Sequence, residues 1–159
     1  MERTLYLIFF VVVFNLNVFS QTSYKQEIYE AYVENNMSEW KNIIDEMNLK
    51  SDKSKDFRLE LLNYQYGYIA WCLGNDKDSQ AGDYLEIALE NFEFLENISY
   101  MPAILKAYKS AFWGFKIGLS FYKAPFLGPE SLDFAELSVD LDKSNYFGYI
   151  QLGNIKFYR

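Results

Sequence analysis

The chain has 159 residues, with 22 acidic against 15 basic side chains, no histidine and a net charge of −7. Such an acidic surplus repels a phosphate backbone and an anionic membrane surface alike, which speaks against nucleic acid and charged lipid as partners. The missing histidine removes Ser–His and Cys–His pairs and the commonest transition-metal ligand, so any catalyst here would rest on carboxylates.

Residues 1–20 read as a cleavable signal peptide. Arg3 precedes the apolar run 5–14, and Asn15 and Asn17 break it. The run is too short for the roughly 20 residues that span a bilayer. Val18-Phe19-Ser20 suits a signal peptidase, with the cut after Ser20 and Gln21 as the new N-terminus. The chain is therefore expected in the periplasm or outside the cell, with no transmembrane segment in its mature form.

Apolar spacing predicts helices throughout the remainder. The first covers 24–34, with Ile28, Tyr29, Ala31 and Tyr32 in one stripe. The second covers 39–47, capped by Ser38, with Trp40, Ile43, Ile44 and Met47 on one face. A polar linker at 50–55 follows. The third, 56–73, is apolar around much of its circumference and belongs in the middle of the molecule. It carries Cys72, the only cysteine, which reads as a small buried hydrophobe. No internal disulfide is possible, so core packing must hold the fold.

Gly74-Asn75 ends the third helix and Ser79 caps the fourth, 80–96. Pro102 suits the first turn of a fifth helix reaching 119. The stretch 120–128 has no helical reading, because Pro125 and Gly128 interrupt it. Its apolar Phe121, Tyr122, Phe126 and Leu127 are expected to pack on something. Pro129 opens a sixth helix, 130–141; a turn at 142–145 leads to a seventh, 146–158. Period-two alternation and hairpin turn pairs are both missing, so no sheet is expected.

Three glycines sit mid-helix: Gly67, Gly114 and Gly153. Each costs about 1 kcal/mol against alanine, which suggests close helix approach at all three. Tyr149-x2-Leu152-Gly153 and Ala81-x3-Leu85-x2-Ala88 resemble the first- and second-helix signatures of the tetratricopeptide repeat. Weaker copies lie at 131–138 and at Trp40-x3-Ile44-x2-Met47, and 138–145 resembles the family's inter-repeat turn. The resemblance implies an all-α fold of antiparallel helix pairs stacked as a short right-handed solenoid. It covers 56–159, with a degenerate helix pair at 21–55 before it and an incomplete last repeat. The Ser20-Gln21 signal end, Tyr66-Gly67-Tyr68 and Leu152-Gly153-Asn154 also resemble exported repeat proteins of Bacteroidetes.

In such stacks the first helices line a concave face. The resemblance places Tyr64, Tyr68 and Trp71 there, with Ala111, Phe115 and Gly118, and with Ile150, Asn154 and Phe157. An aromatic groove of that kind suits a peptide or protein segment. The competing reading puts the same aromatics in the core.

Carboxylates at Asp83, Glu86, Glu90, Glu93 and Glu96 read as a solvated helix face. Asp76-Lys77-Asp78 lacks the later ligands of a calcium loop. No cofactor or metal is expected. Asn36-Met37-Ser38 and Asn97-Ile98-Ser99 fit glycosylation sequons but equally fit helix boundaries. Two function classes follow: a non-catalytic scaffold or adaptor of the cell envelope, and, as the alternative, a carboxylate-dependent hydrolase on a helical scaffold. The apolar seventh helix (Phe147, Ile150, Ile155, Phe157, Tyr158) further suggests either self-association or helices beyond this sequence.

Overall fold

A computed structural model describes residues 23–157. The signal-peptide reading of 1–20, the cut after Ser20, and Tyr158 and Arg159 lie outside the described residues. Among the described residues the protein is all-α, with no strand. Its helices are α1 (Tyr24–Val33), α2 (Met37–Leu49), α3 (Lys55–Gly74), α4 (Asp78–Asn97), α5 (Pro102–Leu119), α6 (Ala124–Leu141) and α7 (Tyr146–Phe157). A 3-10 turn, Phe121–Lys123, joins α5 to α6. No helix among the described residues is long and apolar enough to cross a membrane.

Local chemistry sets the helix boundaries. Ser23, Asn36 and Ser54 cap α1, α2 and α3, each accepting from the backbone N–H three residues on at 3.2–3.3 Å. Ser38, expected as the α2 cap, lies inside the helix and donates to Asn36 Oδ1 at 2.8 Å. Ser79 likewise falls inside α4, whose N-cap position is Lys77. Asn35, Asp76 and Ser99 take left-handed backbone, with φ of 53°, 56° and 52°. After each, the next N–H reaches back five residues, to the carbonyls of Ala31, Cys72 and Leu95 at 2.8–3.0 Å. That pairing closes α1, α3 and α4 and reverses the chain sharply.

The helices pair as three antiparallel hairpins, the third turned by the Phe121–Lys123 segment. In α1/α2, Tyr24 hydrogen-bonds Glu46 while Tyr32 meets Trp40. In α3/α4, Arg58 lies over Phe94, Tyr68 meets Tyr84, and Cys72 meets Gln80. In α5/α6, Ser138 donates to the Ala103 carbonyl at 2.7 Å and Ser131 to that of Ser110 at 2.9 Å. This last seam is lined by Ala107, Ser110, Ala111, Ser131, Ala135 and Ser138, all buried and all small, so the two backbones come close.

Between hairpins the direction changes. Tyr100 reaches Asp56, Tyr108 reaches Asn63, and Gly118 lies against Leu73. These contacts climb together, so α3 and α5 run parallel. α7 packs on both α5 and α6. The core is centred on α3, whose Leu61, Leu62, Ile69 and Cys72 are wholly buried against Ile44 and Met47, Leu95 and Phe112.

Three further sequence expectations change. α6 starts at Ala124, not after Pro129, because Pro125 occupies the first turn, where a missing N–H costs nothing. Pro129 then sits inside the helix. Phe121, Tyr122 and Phe126 do not pack; they are exposed. Of the three mid-helix glycines only Gly67 marks a close approach, while Gly114 and Gly153 face open space. A close approach sits instead at Gly148, where an added Cβ would lie 2.7 Å from Ser138 Oγ.

Candidate functional site

Helices α3, α5 and α7, each the first of its pair or the last in the chain, leave a cleft of about 560 Å³ between them. α3 is apolar around much of its circumference. One side buries against α2 and α4, and the residues at 56, 59, 60, 63 and 66, spaced by three and four, face the cleft. α5 contributes Ile104 and Tyr108, and α7 contributes Tyr146, Phe147 and Ile150.

Aromatic rings form the floor. Phe147 meets Tyr66 edge-on with centroids 5.2 Å apart and lies 4.8 Å from Tyr108. Tyr66 also stacks on Phe115 at 5.4 Å. The Tyr108 hydroxyl donates to Asn63 Oδ1 at 3.0 Å, and burial holds this phenol above its ordinary pKa. Asn145 fixes the start of α7. Its Nδ2 donates to Ser138 Oγ at 2.8 Å and its Oδ1 accepts from the Phe147 N–H at 3.2 Å. The same side chain thus ties α7 to α6 and aligns the turn that carries Phe147.

The rim is acidic. Asp56, exposed in the first turn of α3, accepts from the Tyr100 hydroxyl. That bond raises the Tyr100 phenol above its ordinary value. Glu60 accepts from the Tyr64 hydroxyl at 2.7 Å. Burial, then this bond to Glu60, push the Tyr64 phenol upward.

The residues expected to line the groove scatter. Tyr64 and Tyr68 are buried and belong to the core, which corrects their placement on an open face. The Tyr68 ring lies between Trp71, stacked at 5.8 Å, and Tyr84, edge-on at 4.9 Å. Trp71 is half-buried and carries Lys77 5.1 Å above its ring. Phe115 is half-buried beneath Tyr66, Ala111 is buried in the α5/α6 seam, and Gly118 is exposed beside Leu73. Ile150 lines the cleft. Asn154 and Phe157 are exposed further along α7.

The helices were legible, but the face was not. The expected register hung on the glycines, and only Gly67 is a true contact point. The residue before it, Tyr66, is the one that meets the cleft. Leu59, Asn63 and Tyr66 did carry a signal: an i, i+4, i+7 row on α3 that ends one residue before the glycine.

Among the described residues, no group of three or more Cys, Asp or Glu side chains is placed to hold a metal ion. Comparison with known proteins returns no matching family model, no matching curated protein and no matching solved structure.

Proposed function

We propose that the protein is a non-catalytic scaffold or adaptor of the cell envelope, built as a short tetratricopeptide-like solenoid, that holds a protein segment between α3, α5 and α7. The observation that carries the reading is the cleft itself. It is an apolar floor of Tyr66, Tyr108, Ile104 and Phe147 under a rim bearing Asp56 and Glu60. Parallel first helices joined through antiparallel hairpins support the solenoid description, because stacked helix pairs repeat that arrangement. The reading includes export through the leader at 1–20 and a resemblance to repeat proteins exported by Bacteroidetes.

The chemistry of the cleft selects its ligand. The floor takes one or two apolar side chains, and the rim carboxylates take a lysine or arginine beside them. Nucleic acid would meet the same rim and be repelled.

The alternative, a carboxylate-dependent hydrolase, would use Asp56 and Glu60. They hang one turn apart on α3, and each is already engaged by a tyrosine hydroxyl. Asp56 is exposed. A general acid is tuned by burial away from water, and this rim is open. The geometry favours binding over hydrolysis.

A random peptide library panned on the protein tests the proposal. Enriched sequences should pair a basic residue with an apolar anchor. Ile150→Asp and Glu60→Lys should each weaken them by about tenfold or more, and added salt should weaken them further. Peptides that bind both variants as well as the parent would overturn the site. Peptide cleavage that stops in Asp56→Asn would favour the hydrolase.

A further inference from the structure

The turn between α5 and α6 carries three large apolar side chains that stand largely exposed. Phe121 is 82% exposed, and Tyr122 and Phe126 are each 76% exposed. They fall within six consecutive positions of a 3-10 turn and the first turn of α6, so they form one projecting cluster. A row of aromatic rings in water is costly unless something covers it.

The surrounding charge indicates what does. The chain as a whole is strongly acidic, yet no Asp or Glu occurs anywhere from position 97 to 129. Four lysines lie in that stretch. Lys106 and Lys109 are paired with Glu96 at 2.9 and 3.0 Å. Lys116 and Lys123, the two nearest the turn, form no ion pair among the described residues. Lys116 lies 4.2 Å from the centre of the Trp113 ring, and Lys123 lies 5.9 Å from that of Tyr122. Burial lowers the Lys116 ammonium's pKa, and repulsion from Lys123 adds to this, so the two charges share one locality. Two carboxylates come near: Glu93, which attracts Lys116, and Glu130, which accepts from the Trp113 indole at 2.7 Å. Aromatic rings projecting beside lysines held in no ion pair match the interface of a bilayer, where rings sit at headgroup depth and ammonium groups meet lipid phosphates.

We propose that the 121–126 turn is an interfacial anchor that inserts Phe121, Tyr122 and Phe126 into an anionic lipid surface, with Lys116 and Lys123 on its headgroups. The whole-chain charge argued against such a surface. The 97–129 stretch that ends in this turn is itself basic, with Glu93 and Glu130 the carboxylates beside it, and screening confines the repulsion of more distant carboxylates to about 10 Å. The chain would then lie on a membrane through this end while the cleft stays in water.

The test uses the full chain carrying Ser120→Cys, labelled with an environment-sensitive dye. Cys72 is buried and its thiol is pushed up by burial, so the dye goes to the new site. The probe is a vesicle of phosphatidylcholine with about one third phosphatidylglycerol. A blue shift is expected with these vesicles and a weaker one with phosphatidylcholine alone. Adding Phe121→Ser and Phe126→Ser should weaken binding read at the dye by about tenfold or more. Both side chains are exposed, so far-ultraviolet circular dichroism should stay unchanged. A shift that came from attachment through the apolar run at 5–14 would survive the double substitution, so the two cases are told apart. No shift with vesicles would overturn the proposal. So would a shift that survives the double substitution, or one that grows with protein concentration without lipid, which would assign the turn to contact between copies of the chain.

Discussion

The indole of Trp40 occupies the space that a side chain at Gly67 would need. A Cβ built on Gly67 would stand 2.9 Å from Trp40 Cζ2 and 3.2 Å from Cη2. The indole is not free to withdraw, because its Nε1 donates to the Tyr64 carbonyl at 3.2 Å and Tyr32 packs edge-on against it at 6.0 Å. This contact helps to fix α2 on the middle of α3.

Gly67→Ala should therefore destabilise the protein by about 1–3 kcal/mol, despite alanine's higher helix propensity, because overpacking displaces a hydrogen-bonded ring. Gly114→Ala and Gly153→Ala, on exposed helical backbone with open space around them, should instead stabilise by about 0.5–1 kcal/mol. Urea unfolding of the three variants checks the contrast. Equal signs at all three positions would contradict it.

Tyr68 and Ile150 should separate core from site. Tyr68 is buried between Trp71 and Tyr84, so Tyr68→Ala should cost roughly 3–5 kcal/mol. Ile150 is nearly half exposed at the cleft edge, and Ile150→Ala should cost less than about 1 kcal/mol. Thermal melts of both variants measure this directly. A mild loss at Tyr68 would return that residue to the open groove.

The helical nature of the chain was readable because its apolar residues recur at helical spacing and its boundaries are marked by Ser, Asn and Pro. What misled was punctuation. Pro125 reads as a break when met after Phe121 and Tyr122, yet proline is also the natural first-turn residue, and only the fold shows which applies. The glycines misled in the same manner. One residue type marks a contact at Gly67 and bare solvent at Gly114. The cleft was hidden for a different reason: its lining comes from three helices far apart in sequence, and which face of each turns inward is decided by packing. The uncapped start of α4 at Lys77 carries no side-chain signal.

Glu96 should make stability depend on acid. Burial alone would raise its carboxyl, but hydrogen bonds from Lys106 and Lys109 outweigh that and hold it below the ordinary carboxylate value. A carboxyl depressed in the folded state stabilises fully above its unfolded pKa, and that contribution fades as pH falls through the folded one. The parent should therefore lose stability below about pH 4.5, where an unfolded glutamate begins to take up its proton. Glu96→Gln should lose about 1 kcal/mol at neutral pH, and the difference from the parent should shrink in acid and in high salt. Melting curves at several pH values decide it. A difference that persists at low pH would remove Glu96 from the account.

The last prediction concerns the polar chain buried among α2, α3 and α4. Gln65 is wholly buried. Its Nε2 donates to Asn48 Oδ1 at 3.1 Å, and its Oε1 accepts from Asn91 Nδ2 at 3.3 Å. Asn91 in turn accepts from Arg58 Nη1 at 3.0 Å, and the Arg58 guanidinium lies 4.2 Å from the centre of the Phe94 ring. Removing Asn91 alone strands two partners, the Gln65 oxygen and the Arg58 donor. Asn91→Leu should thus cost about 1–3 kcal/mol. Gln65→Met, which keeps the volume, should cost a similar amount by stranding Asn48 and Asn91. The double variant should cost less than the two together, because the bond between them is lost only once and neither residue leaves the other orphaned. A double-mutant cycle in urea measures that difference. Strict additivity would mean that the two amides are not coupled, and that the chain of hydrogen bonds contributes only as separate contacts.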